Sequence, residues 1–215
     1  MPADRIHLIR HGEVHNPGGV LYGRLPHFRL SELGHEMAKS AASKVAETVA
    51  SDGRTVAKIL ASPLLRTQES AEHVANAFGV DVRTDERLIE PYNIFEGRKL
   101  SASHILIRPH LYYHLRNPQK PSWGEPYEAI ASRMMDAIED AWNSVESGDV
   151  VIVSHQLPIV MVQLTVAGKP LAHNPKQRRC SLSSITTLER QGDKFVEVGY
   201  VDTAANHTVI DRGAV

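Results

Sequence analysis

Three short apolar runs, RIHLI at residues 5–9, VAKILAS at 56–62 and DVVIVS at 149–154, are separated by long stretches with helical spacing. Runs of this length suit buried strands, and alternation of strand with helix lays such strands side by side in a parallel sheet. That pattern constrains the chain most: it predicts an α/β fold, whose ligand crevice opens outside the carboxyl ends of the strands. DVVIVS is nearly all apolar, as a central strand covered on both faces requires.

The intervening elements carry their own start and stop signals. From Ser31, SELGHEMAKSAASKVAETVA opens with an N-cap serine and repeats apolar residues at Leu33, Met37, Ala41, Val45 and Val49, which predicts a helix. PLLRTQESAEHVANAFG reads as a helix with Pro63 in its first turn and Gly79 closing it. EAIASRMMDAIEDAWNSVESG predicts an amphipathic helix ending at Gly148, and a further helix is expected from Pro158 to Ala167. SSITTLER and KFVEVGYV read as an antiparallel hairpin turning near Gly192 and Asp193. Between Gly79 and Arg133, five prolines (91, 109, 118, 121 and 126) break the pattern into loops and short helical pieces, the best of them LIRPHLYYHLRNP. With 215 residues, 42% of them hydrophobic, the expectation is one domain over residues 1–215, with an irregular cap-like insertion at about 91–126.

Composition excludes several classes of function. A net charge of −1 provides no broad basic field, so neither nucleic acid nor an anionic membrane is an expected partner, and an anionic ligand has to be met by a few local arginines. Cys180 is the single cysteine and can form no internal disulfide. No apolar run approaches the roughly 20 residues that span a bilayer, and MPADRIHLIRHG lacks the apolar core of a secretory signal, so a cytoplasmic protein is expected. A homodimer is the expectation from general frequency alone.

Chemistry concentrates where strands end. HLIRHGEVHN holds His7, His11 and His15 four apart, a spacing that on a helix would gather them for a metal. Gly12 and Pro17-Gly18-Gly19 instead predict a strand running into a loop, with His11 at the strand end and His7 inside the sheet. VVIVSHQ delivers His155 in the same way, and the strand at 56–62 leads to Arg66 in the first turns of its helix. With Arg10 beside His11, two arginines and two histidines converge from separate elements. Guanidinium forks match phosphate oxygens, so this is the make-up of a phosphate site. Against each residue stands a plainer role, a solvated arginine or a structural histidine; agreement at the strand ends is what favours the site.

LIRHGE at residues 8–13, ASPLLRTQESAE at 61–72 and VIVSHQ at 151–156, in that order, resemble the hallmark motifs of the histidine phosphatase superfamily, the phosphoglycerate mutase-like enzymes. RLSELGHEMA, DERLIEPYNIFEG and GEPYEAIASR extend the resemblance over nearly the whole chain. It implies a three-layer α/β/α sandwich with a mostly parallel central sheet, and two-step transfer through a phosphohistidine on His11. Arg10, Arg66 and His155 would hold the phosphoryl oxygens, and Arg10 and Arg66 should keep the His11 imidazole neutral. Asn16 would assist phosphate binding. With cations supplied by side chains, neither metal nor cofactor is expected. A carboxylic acid must protonate the leaving group. Glu86, Glu90 and Glu96 are the candidates; the match favours Glu90 over Glu86 and assigns Glu96 and Gly97 to the loop. Arg24, Gln156, Arg108 and Arg116 are candidate substrate contacts.

The implied activity is hydrolysis of a small organic phosphomonoester, independent of metal. A phosphoglycerate mutase-type phosphotransferase and a silent phospho-ligand-binding protein are its rivals. A metal-dependent hydrolase finds no supporting ligand spacing in the sequence.

Overall fold

A computed structural model describes residues 2–98 and 124–204. In chain order the elements are β1 (Ile6–Arg10), α1 (Glu32–Ser51), β2 (Val56–Ala61), α2 (Leu65–Phe78), β3 (Val82–Thr84), α3 (Tyr127–Asn143), β4 (Asp149–Ser154), α4 (Gln156–Val166), β5 (Ile185–Gln191) and β6 (Lys194–Val201). The six strands form one sheet in the order β3-β2-β4-β1-β5-β6. The first four are mutually parallel, and β5 and β6 add an antiparallel edge.

Period-two alternation divides the strands between two cores. Ile6, Leu8, Leu60, Val150 and Ile152 pack with Ile130, Met134 and Ile138 of α3 and Ile159 of α4. Ile9, Ile59, Val151 and Val153 face the other way, onto Ala41 and Val45 of α1 and Ala71 and Val74 of α2. Two helices on each face of a sheet make the α/β/α sandwich, and β4, buried along its whole length, is its centre. Among the described residues no helix is long and apolar enough to cross a membrane.

Several boundaries differ from those the sequence suggests. β1 runs one residue later, through Arg10. Leu64 has extended dihedrals and is the N-cap of α2, so Pro63 lies just outside the helix. α3 stops at Asn143, capped by Ser144, and 144–148 form a turn into β4. α4 begins two residues before Pro158, because the first-turn N–H groups have no intrahelical partner and proline is tolerated there. The short β3 and a 3-10 turn at Glu86–Leu88 have no clear periodic signal in the sequence. LIRPHLYYHLRNP and most of the cap-like insertion lie outside the described residues.

One contact ties α1 to the strand end. Ser31 caps α1 by accepting from the Gly34 N–H (2.9 Å) and donates to Glu13 (2.5 Å), while its own N–H reaches the Glu13 carbonyl (3.0 Å). The backbones touch so closely that a Cβ on Gly34 would stand 2.0 Å from the Glu13 carbonyl oxygen, and one on Gly12 2.3 Å from the Gly34 oxygen. Gly34→Ala is expected to lower stability by about 1–3 kcal/mol through overpacking, read as a lower denaturant midpoint; an unchanged midpoint would show that the loop and helix can separate at no cost.

Candidate active site

Register brings the chemistry together. Arg10 pairs with Ser154 across β1 and β4, so His11 and His155 emerge side by side from the ends of adjacent parallel strands. The His11 N–H donates to the Ser154 carbonyl at 3.1 Å, and the two imidazoles lie 5.3 Å apart. β2 flanks β4 on the other side, and Ser62 continues its pairing by donating to the Val153 carbonyl (3.0 Å). Arg66, the second residue of α2, reaches back from there to both histidines.

Arg66 is 1% exposed. Its Nε donates to His11 Nε2 (3.3 Å), and Nη2 donates to the Gly23 carbonyl (2.8 Å) and His155 Nδ1 (3.2 Å). The guanidinium stands 4.8 Å from the Tyr22 ring centre. Nη1 is buried with no hydrogen-bond partner among the described residues. Burial pulls the Arg66 pKa down from its ordinary value, but an arginine remains charged. Arg10, equally buried, donates through Nη1 to the Cys180 carbonyl at 2.7 Å.

These donors fix both imidazole tautomers. His11 Nδ1 faces the Gly12 carbonyl at 2.8 Å and must donate, leaving the Nε2 lone pair toward Arg66. His155 Nδ1 accepts from Arg66, so Nε2 carries the proton and donates to Ser62 Oγ at 2.7 Å. Both histidines are held well below their ordinary pKa, first by burial and then by the arginines, chiefly Arg66. Burial is therefore a larger cause than the two cations to which the sequence reading attributed the neutrality of His11.

Glu90 completes the group. It is buried, its Oε2 lies 3.7 Å from His155 Nδ1, and burial pushes its carboxyl up to about 6 against the opposing pull of Arg66, Arg10, Arg178 and Arg133. Its segment is anchored from three directions: Arg24 Nε donates to the Glu90 carbonyl, Ser154 Oγ to the Leu88 carbonyl, and Arg133 to the Arg87 carbonyl. Glu86 is exposed on the 3-10 turn, and Glu96 accepts from the backbone N–H groups of Arg24 and Asn93, a loop role.

Other sequence candidates are engaged elsewhere. Asn16 closes its own turn, donating to the Val20 carbonyl (2.8 Å) and accepting from the Val20 N–H (3.2 Å). Besides Glu90, Arg24 pairs with Glu125 at 3.2 Å. Gln156 accepts from Arg178 at 3.1 Å, and Arg108 and Arg116 lie outside the described residues. His7 is a core residue between Asp149 (2.9 Å) and Thr187 (3.0 Å), and His15 is exposed on the loop, so the three early histidines go to three different environments. Among the described residues no group of three or more His, Cys, Asp or Glu could hold a metal ion. Sequence reasoning missed Tyr22, Ser62 and Arg178. Only Ser62, a hydroxyl at a strand end before a helix, carried any signal.

A neutral imidazole with its lone pair directed at a buried guanidinium, a second imidazole beside it and a carboxyl that titrates near 6 can bind a tetrahedral anion, attack it and exchange a proton with its ester oxygen.

Comparisons with known proteins identify the family. The family model of the histidine phosphatase superfamily, branch 1, matches residues 6–203. An uncharacterized protein of Mycobacterium tuberculosis, Rv0525, is 44% identical over 207 residues, covering 95% of this chain and 100% of its own. A probable phosphoglycerate mutase, GpmB, of Erwinia tasmaniensis is 29% identical over 98% of this chain and 97% of its own. The native structure of mycobacterial glucosyl-3-phosphoglycerate phosphatase Rv2419c shares the fold with a TM-score of 0.70 at 24% identity, covering 91% of this chain and 97% of that one. With its strand-end histidines and buried arginines side by side, and a family match over residues 6–203, the chain belongs to the histidine phosphatase superfamily, branch 1.

Proposed function

We propose that this protein is a phosphomonoester hydrolase that works without a metal, through a phosphohistidine on His11, on a small organic phosphate. The observation that carries the reading is Arg66: a guanidinium buried between two neutral imidazoles, with one nitrogen unsatisfied among the described residues, has the donors and the charge that bind a phosphate oxygen.

In the first step His11 Nε2 attacks phosphorus and the ester P–O bond breaks, while the Glu90 carboxyl passes its proton to the departing oxygen. In the second, water attacks the phosphohistidine. Glu90 takes the water proton, the P–N bond breaks and inorganic phosphate leaves. Arg10 and Arg66 neutralise charge spreading over the phosphoryl oxygens, and His155 stands beside His11 as the acceptor that orients the Arg66 guanidinium. Phosphoryl transfer asks mainly for such positioning and electrostatics. A carboxyl near 6 divides its time between the two protonation states that the steps require.

The phosphatase reading draws support from the phosphatase among the fold neighbours, and the GpmB relatives keep a mutase as its rival. The two differ in the acceptor: a hydrolase releases inorganic phosphate to water, and a mutase returns the phosphoryl group to a sugar-acid hydroxyl.

Incubation with an aryl phosphate and excess chelator is expected to release inorganic phosphate in wild type and none in His11→Ala; unchanged turnover in the variant would remove His11 as nucleophile. Arg66→Ala should lower kcat by about 100–1,000-fold, the loss typical of a main oxyanion donor. Glu90→Gln should depress turnover of an alkyl phosphate far more than that of an activated aryl phosphate, whose leaving group needs no proton. Wild-type turnover of the alkyl ester should fall as pH rises through about 6, because the acid is then lost, and this limb should be absent in Glu90→Gln. An equal loss for both esters would move the acid elsewhere.

A further inference from the structure

GEPYEAIASR, residues 124–133, runs into α3 and carries an acid and an arginine, Glu125 and Arg133, eight residues apart. Its start is pressed against the segment that bears Glu90. Gly124 bridges to Asn93, and a Cβ on Gly124 would stand 2.5 Å from the Tyr92 carbonyl oxygen. Glycine is what lets the two backbones approach so closely.

Glu125, the next residue, engages both of its oxygens. Oε1 accepts from Arg133 Nε at 2.8 Å, and Oε2 accepts from Arg133 Nη2 at 3.1 Å and from Arg24 Nη2 at 3.2 Å. A single exposed ion pair would fix little. This one is partly buried, bidentate toward Arg133 and shared with a second arginine, the geometry in which a carboxylate sets direction as well as charge. Each arginine then reaches the acid's segment with another nitrogen: Arg24 Nε donates to the Glu90 carbonyl, and Arg133 Nη1 to the Arg87 carbonyl. One carboxylate thus aims two forks at carbonyls on either side of Leu88 and Ile89.

We propose that Glu125 is a positioning residue for the acid step: by fixing both guanidinium forks it sets where the Glu90 side chain stands beside His155. This role rests on the hydrolase reading, in which Glu90 passes its proton to the departing oxygen. The carboxyl has to come within hydrogen-bond reach of that oxygen, and a small displacement of its backbone weakens the transfer. Two anionic oxygens are what the clamp needs. Glutamine keeps the size but has one acceptor oxygen, and turns an NH2 group toward one of the arginines.

The test is a comparison of kcat and KM among wild type, Glu125→Gln, Glu90→Gln and the double variant, with an alkyl phosphate and an activated aryl phosphate. Glu125→Gln is expected to lower kcat for the alkyl ester about tenfold. KM should be unchanged, and the aryl ester, whose leaving group needs no proton, should stay within about twofold of wild type. In the Glu90→Gln background the same substitution should have no further effect, because the acid it positions is gone. Arg24→Met removes one arm of the clamp at a partly exposed position and should show the same selectivity between esters. Equal losses on both esters in Glu125→Gln and Arg24→Met, or a loss that persists beside Glu90→Gln, would overturn the role while leaving the hydrolase reading in place. No phosphate release by wild type from either ester would overturn that reading and this role with it.

Discussion

The arrangement rests on one buried cation. Taking a guanidinium out of water costs several kcal/mol even after the protein relaxes around it. Arg66 offsets part of that with the Gly23 carbonyl, the Tyr22 face and two imidazole nitrogens. The same contacts determine the state of the histidines, because a ring nitrogen that accepts from a guanidinium cannot hold a proton there. One side chain therefore selects two tautomers and draws a lone pair of each ring toward itself. Among the described residues, what remains unsatisfied on Arg66 is one donor, the Nη1 group.

The scaffold's contribution is spacing. β1 and β4 run parallel in a register that ends both at the same level, and β2 brings the start of α2 alongside. The close approach of Gly12 and Gly34 then fixes how near α1 stands to the residue following His11. Antiparallel neighbours would have sent the two histidines to opposite ends of the strands. The same parallel order explains why His7, four residues upstream of His11, belongs to the core: it sits toward the opposite end of the strand, against Asp149.

How much of this was legible in the sequence depends on whether a feature is carried by side-chain type or by long-range backbone. Strand-length apolar runs between helical repeats disclosed the layers, and the strand-end rule singled out His11, His155 and Arg66 before any coordinates. Glu90 was harder to place. Its segment is held by Arg24, Ser154 and Arg133, from three separate parts of the chain, and only the family resemblance of the segment, not its periodicity, favoured it over Glu86. The carbonyls of Gly23 and Cys180 were invisible for a different reason, since any residue could supply them. Helix limits failed where local chemistry was permissive. Proline is accepted anywhere in a first turn, as at Pro158, and the polar stretch after Asn143 could have continued α3 as readily as ended it.

The partners of the two arginines are far apart along the chain: 170 residues separate Arg10 from Cys180, 89 separate Arg66 from His155, and 55 separate Arg66 from His11. Contacts of such separation form late, after the loops between them have been closed. On a nascent or partly unfolded chain His11 is an ordinary solvated imidazole, with neither its selected tautomer nor the Arg66 guanidinium against its ring. The gathering of His11, Arg66 and His155 is therefore a property of the folded chain, complete only once β1, β2 and β4 lie side by side in the sheet.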